Sequence, residues 1–279
     1  MLWEELSAFN FEESVKECEG VCILPIGCIE KHGNHLPLGT DMYTAQAVCK
    51  AAAEREPAIV FPYYFIGQIS EARHYPGTVA ASHKLLMENL LEMCDEIARN
   101  GLKKIVIMSS HGGNGSFLPF FAQEMPRLNR DYCVYTGYIS TYSDEQQKTI
   151  AELSGTTDFG QHAGMTETAV MMHLRPDLIH MEWQDPAEGT SMERLAEIEA
   201  QNLYSGFNWY AKFPAHFAGN PSLASAEIGA AIFDMVVNNT ADAIKAVKAD
   251  TMSPGFVKEF AKFSQNPSRS FEHPHEGDC

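Results

Sequence analysis

A chain of 279 residues, 45% hydrophobic and 20% charged, has the make-up of a folded globular protein and is too apolar to stay disordered. Its 20 Lys and Arg against 37 Asp and Glu give a formal charge of −17, so it offers no basic stripe to nucleic acid or to an anionic membrane. No apolar run reaches the roughly 18 residues that a membrane span needs.

The first 20 residues are acidic and lack the basic-then-apolar order of a secretory signal. The 7 cysteines are odd in number, scattered, and without a C-x-x-C pair, as expected for thiols of a reducing cytosol. A cytoplasmic location is expected.

The apolar run 21–26, closed by Gly27, reads as a buried strand. After a polar loop, 42–56 reads as an Ala-rich helix that Pro57 ends, and 59–61 as a second strand. Ser82 is placed to cap a helix over 84–100, whose apolar face is Leu85, Leu86, Leu90, Leu91, Cys94 and Ile97. Asn100-Gly101 is its stop signal. Residues 105–108 form a third strand, followed by a Gly-rich turn and another helix, and 132–139 form a fourth. Helical patterns recur at 164–173, 192–204 and 224–249. This alternation predicts an α/β fold: a three-layer sandwich of a mostly parallel sheet with helices on both faces. One domain is expected over 1–266, with a loosely packed tail over 267–279 in which His273 and His275 are not a site. Right-handed crossovers gather the strand C-terminal ends on one edge, so residues just after the apolar runs are the ones to examine.

Three clusters fall there. The first strand is followed by Glu30-Lys-His32, two positions apart on one side of extended chain, and later by Asp41. The third strand leads into Ser109-Ser-His111-Gly-Gly-Asn114-Gly-Ser116, whose glycines suit close approach of a ligand. Its spacing matches neither G-x-G-x-x-G nor G-K-[ST], which argues against a nucleotide loop. The third cluster is His162-Ala-Gly-Met-Thr-Glu167-Thr168. Helix-dipole placement alone accounts for a Glu at a helix start. Taken together, Glu30, His32, Asp41 and His111, with Glu167 as a fifth, suffice to hold two divalent metals. Asp41, a short carboxylate at the end of a turn, is the natural bridge. His162 is then a spare imidazole able to move a proton.

The strings Leu24-Pro-Ile-Gly-Cys-Ile-Glu-Lys-His-Gly-Asn-His-Leu-Pro-Leu-Gly-Thr-Asp41, His111-Gly-Gly-Asn114 and His162-Ala-Gly-Met-Thr-Glu-Thr168 resemble the creatininase (creatinine amidohydrolase) family. Tyr75-Pro-Gly-Thr78 and the stretch from Gly219 to Gly229 fit the same pattern, and the resemblance runs from about residue 3 to about residue 248. It implies a cytoplasmic metal-dependent hydrolase with two divalent ions, Zn, Mn or Fe, and a homo-oligomer, commonly a hexamer. Carried over by motif, Glu30, His32, Asp41 and His111 are metal ligands, and His162 and Glu167 act in catalysis.

Creatininases carry a metal-binding Glu two residues after the His of the second motif, and here that position is Gly113. Glu167 is therefore expected to complete the second metal, and creatinine itself becomes a doubtful substrate. The expected reaction is attack of a metal-bound hydroxide on a carbonyl of a small polar, cyclic molecule, with cleavage of a C–N bond. The alternatives are ring-opening C–C hydrolysis of a cyclic keto-polyol and a non-catalytic metal-binding subunit. His35, Asn114, Arg73 and His74 are candidates for binding substrate. Trp209, Tyr210, Phe213 and Phe217 form an aromatic loop suited to a substrate wall or a subunit contact.

Overall fold

The first apolar run becomes β1, Val21–Ile26, with every residue buried. Val21 and Ile23 pack to one side of the sheet, while Cys22, Leu24 and Ile26 pack to the other. A strand buried on both faces needs an unbroken apolar run, which is what the sequence supplies. Fully burying one Ile or Leu is worth ~1.5–3 kcal/mol. Ile23, Leu24 and Ile26 are fully buried, so the core sets where β1 ends and the site inherits that position.

This computed structural model describes residues 1–265 and 267. Apart from Pro267, the expected tail and its two histidines lie outside the described residues. The other strands are β2 (Ile59–Val60), β3 (Lys104–Ser109) and β4 (Cys133–Tyr138). All pair in parallel, in the order β2-β1-β3-β4. The helices in chain order are α1 (Phe11–Glu17), α2 (Thr40–Arg55), α3 (His83–Arg99), α4 (Asn114–Leu128) and α5 (Asp144–Ser154). They continue with α6 (Met165–Leu174), α7 (Ala196–Glu199), α8 (Asn208–Lys212), α9 (Ala226–Ala249) and α10 (Met252–Gln265).

Two faces of the sheet are covered, as the alternation predicts. Ala45, Val48 and Ala52 of α2 and Val237 and Ile244 of α9 pack with Val21, Ile23 and Val106 on one face. Leu86, Leu90 and Ile97 of α3 and Phe117 and Phe121 of α4 pack with Leu24, Ile105 and Ile107 on the other. The chain leaves β1 through α2 toward β2, and leaves β3 through α4 toward β4. Neighbouring strands thus send their loops to opposite faces, and a crevice opens between the C-terminal ends of β1 and β3.

Local signals place most element ends. Ser82 accepts from Leu85 N at 3.3 Å, and Ser225 accepts from Ile228 N at 3.3 Å. The helix expected over 192–204 is a correction: only the single turn α7 forms there. Glu193 and Asn202 have positive φ, and Met192, Ile198 and Leu203 stay exposed. An amphipathic pattern with nothing to bury against does not propagate a helix. Helices α1, α5, α8 and α10 were not expected. A capping box of Ser143 and Gln146 starts α5 and was a readable signal. In α10, Pro254 and Gly255 argue against helix, and the Pro sits in the first turn where it is tolerated. The 6 described cysteines are all buried and free. Among the described residues no helix is long and apolar enough to cross a membrane.

Candidate metal centre

The crevice is built by close approach of strand ends and helix starts. A Cβ at Gly27 would lie 2.7 Å from Asp41 Cβ, so glycine lets the first turn of α2 come against the end of β1. Asp41 there benefits from the helix N-terminus. Ser110 Oγ donates to the Asp41 carbonyl at 2.5 Å, tying that turn to the β3 loop. The β3 loop is braced in turn: Asn114 Nδ2 and the His111 amide both donate to Ser109 Oγ at 3.1 Å.

These braces bring the expected ligands together. His32 Nε2 lies 3.2 Å from Asp41 Oδ1 and 4.0 Å from both Glu30 Oε1 and Glu167 Oε2. His111 Nδ1 lies 2.8 Å from Glu30 Oε1 and 3.2 Å from Asp41 Oδ2. The donors fall into overlapping sets, each within 4.8 Å. One is Cys28, Glu30, Asp41 and His111; another is His32, Asp41 and Glu167; a third is Glu30, His32 and His162. Glu30, His32 and Asp41 are almost wholly buried.

The electrostatics ask for a cation. Burial opposes the charge on Glu30 and on Asp41, yet the surrounding imidazoles hold both carboxyls ionised, below the usual range. Burial would lower His32, but Asp41, Glu30 and Glu167 push it up to about 10; burial likewise opposes a proton on His111, whose acidic neighbours raise it. Without a metal the site therefore draws protons onto its histidines to balance its acids. Glu30 Oε1 has no hydrogen-bond partner despite the nearby His111 Nδ1. A buried carboxylate oxygen left unpaired beside imidazole nitrogens fits a divalent metal, whose ligands aim at a common third atom. Burial raises Glu167 to about 7, although His32 pulls the other way.

His162 enters from the loop before α6. Its backbone forms an antiparallel bridge with Ala218, and its Nε2–H donates to the Lys31 carbonyl at 2.7 Å. That bond fixes the proton on Nε2 and leaves Nδ1 as the atom able to exchange one. Burial, helped by His32, lowers His162 to about 3, so it is neutral. The Ala163 amide donates to Glu167 Oε2 at 2.6 Å and sets that carboxylate at the start of α6.

The residue that sequence reasoning missed is His216. The bridge at Ala218 carries it to the site, where its Nε2–H donates to Glu30 Oε2 at 2.5 Å. Trp209 Nε1–H donates to His216 Nδ1 at 3.0 Å and so fixes the tautomer. The signal available was a lone His inside the aromatic loop. Of that loop, Trp209 faces the cavity, while Phe213 and Phe217 are buried.

The expected substrate contacts are placed differently. His35 is buried and donates from Nε2 to Thr168 Oγ1 at 3.0 Å, behind the ligands. Asn114 is buried, its amide spent on Ser109 and on the Gln68 N–H. Arg73 and His74 are exposed outside the cavity, His74 donating to the Pro214 carbonyl at 2.9 Å. None of the four lines the cavity, whose reach stops short of them.

Gly113, where the resemblance leads one to expect Glu, is crowded. A Cβ there would press on Gln68 Oε1 and lie 2.5 Å from His111 Nε2 and 2.7 Å from the Gln68 carbonyl oxygen. Gln68 thus fills the space a longer residue would need. The cavity over the centre measures about 820 Å³. It is lined by Glu30, Asp41, His111, His162, Glu167 and His216, by the apolar or aromatic Met87, Phe117, Phe120, Tyr204 and Trp209, and by polar side chains that include Gln68, Glu71, Asn208 and Lys212.

Residues 4–244 match the family model for Creatininase, described as creatinine amidohydrolase. Among curated proteins, the creatinine amidohydrolase of Pseudomonas putida is 28% identical, with 86% of this chain and 95% of that protein covered. A mycofactocin precursor peptide peptidase of Mycolicibacterium smegmatis is 30% identical, covering 82% of this chain and 85% of that protein. Among solved structures, one described as "Creatininase Mn" superposes with a TM-score of 0.73 at 25% identity, covering 89% of this chain and 99% of that one.

Proposed function

Because the chain belongs to the creatininase family, we propose that it is a dinuclear metal-dependent hydrolase that cleaves a C–N bond next to a carbonyl. One observation carries this reading: the Glu30–Asp41–His111 and His32–Asp41–Glu167 donor sets share Asp41. Three acids meeting neutral imidazole ligands leave a buried negative excess that two divalent cations offset. Bound divalent cations supply Lewis acidity toward a carbonyl and toward water. Zn, Mn and Fe all suit carboxylate plus imidazole ligands.

The chain's own residues do the rest. Asp41 holds the two donor sets at a fixed separation. His162, with its proton fixed on Nε2, takes a proton at Nδ1 from the attacking water and then delivers it to the leaving nitrogen. Glu167, anchored by the Ala163 amide, completes the second donor set that Gly113 cannot. His216 orients Glu30 through its second oxygen. His35 and Asn114 support the loops that carry the ligands.

The substrate is read as a small-molecule amide with a polar reacting end. The apolar and aromatic part of the cavity lining favours a second form of the same chemistry, an amide at the end of a peptide-like chain, as the named activity of the mycobacterial relative suggests. Ring-opening C–C hydrolysis of a cyclic keto-polyol stays as the alternative, because Gln68, Glu71, Asn208 and Lys212 also line the cavity and offer hydrogen bonds. A homo-oligomer belongs to this reading and is tested by sedimentation. The main experiment pairs elemental analysis with a hydrolysis screen of lactams, linear amides, short peptides and keto-inositols. The expected result is about two divalent ions per chain and amide turnover that chelation abolishes and metal restores. Less than about one ion per chain, with no metal-restored activity, overturns it.

A further inference from the structure

The proposed reaction uses Glu30, Asp41 and His111 and leaves their neighbour Cys28 without a task. Cys28 is fully buried, two residues past the end of β1. Its thiol donates to Asp41 Oδ2 at 3.2 Å, and its Sγ lies within 4.8 Å of donor atoms on Glu30 and His111. A second observation points to a ligand here: Glu30 Oε1 is buried and unpartnered in the same cluster. Tetrahedral ligation with bonds of ~2.0–2.3 Å separates donors by roughly 3.3–3.7 Å. The distances of 2.8 Å from His111 Nδ1 to Glu30 Oε1 and 3.2 Å from His111 Nδ1 to Asp41 Oδ2 lie slightly below this range.

Resting on the metal-centre reading above, we propose that Cys28 Sγ is the fourth ligand of the Glu30–Asp41–His111 position. The thiol S–H bond breaks, a sulfur–metal bond forms, and the proton leaves to solvent, with no change of oxidation state. The consequence is a division of labour. A position filled by four protein ligands, one of them thiolate, is closed and selects zinc-like ions over manganese. The His32–Asp41–Glu167 position has only three protein ligands and keeps the open place that substrate needs. The two positions therefore differ in metal preference as well as in access.

The test uses the full-length chain stripped of metal and reloaded with Co(II). The wild type is expected to show a near-ultraviolet thiolate-to-cobalt charge-transfer band that Cys28→Ala removes and Cys49→Ala, at a buried cysteine elsewhere in the core, leaves in place. In competition between zinc and manganese, Cys28→Ala is expected to lose about tenfold or more of the zinc preference. Cobalt uptake without the band, or a band that survives Cys28→Ala, overturns the ligand role while the metal centre stands. No uptake of cobalt or zinc overturns both. Should Cys28→Ala fail to fold, the wild-type spectrum still decides.

Discussion

The two sides of the cavity are built in different ways. Glu30, His32 and His111 stand on the loops that leave β1 and β3, and Asp41 on the first turn of α2, all of them elements packed into the hydrophobic core. His162 and His216 stand on irregular chain between α5 and α9 and Trp209 on the short α8; Lys31 bonds His162 and the Ala215 carbonyl, His216 bonds Glu30, and Trp209 bonds His216. Both sides are buried and hydrogen-bonded, but the first, the sheet side, follows directly on the central strands, whereas the second, the loop side, packs on the small cluster of Leu36, Ala163, Met171 and Phe217 away from the sheet. Core-fixed residues suit metal ligation, which tolerates little displacement. Loop residues suit proton movement and substrate shape, which vary more freely.

If that division is right, changes on the sheet side abolish metal and those on the loop side leave it. Asp41→Ala is expected to do most, removing both ions and lowering turnover at least ~10³-fold, the size of losing a Lewis acid worth several kcal/mol. Elemental analysis and steady-state kinetics check it. His162→Ala is expected to lower turnover ~10²–10⁴-fold with full metal content. Metal loss in that variant would erase the distinction. His216→Ala sharpens it, because this loop residue touches Glu30, a proposed ligand on the sheet side. Metal affinity is expected to fall ~10–100-fold, with partial recovery in His216→Gln, measured by chelator competition.

A fourth expectation concerns pH. His32 in the metal-free site is raised to about 10 against an ordinary value of 6.5. Its contribution to stability is therefore complete below 6.5 and lost as pH rises toward 10. The metal-free protein is expected to lose Tm across that window. The metal-loaded protein, in which His32 is an unprotonated ligand, is not, and thermal scans in matched buffers decide. The smallest effect is expected for Arg73→Ala, exposed and outside the cavity: KM within about twofold of wild type, in keeping with a surface change.

Much of the sheet side was legible because its signals are local. An apolar run closed by glycine, an E-x-H pair on extended chain, and capped helices are all visible within a few residues. Glu30 and His216, by contrast, are separated by 186 positions. Their own hydrogen bond and the Lys31 bond to the Ala215 carbonyl join them across the fold, and no spacing rule anticipates either. Arg73 and His74 drew attention by residue type next to a Pro-Gly turn, but the turn carries them outward to solvent. Cys28 looked like one more scattered thiol because strand burial alone explains a cysteine there. What separates it is its distance to Asp41, a property of the folded chain.

The crowding of Gly113 by Gln68 bears on how such an enzyme changes over time. A side chain at residue 113 would press on the Gln68 side chain, on the Gln68 carbonyl oxygen and on His111 Nε2, so trimming Gln68 alone does not make room for a carboxylate there. Residue 113 is thus closed to larger side chains by the fold of its own turn, a restriction that reaches from His111 to the loop carrying Gln68.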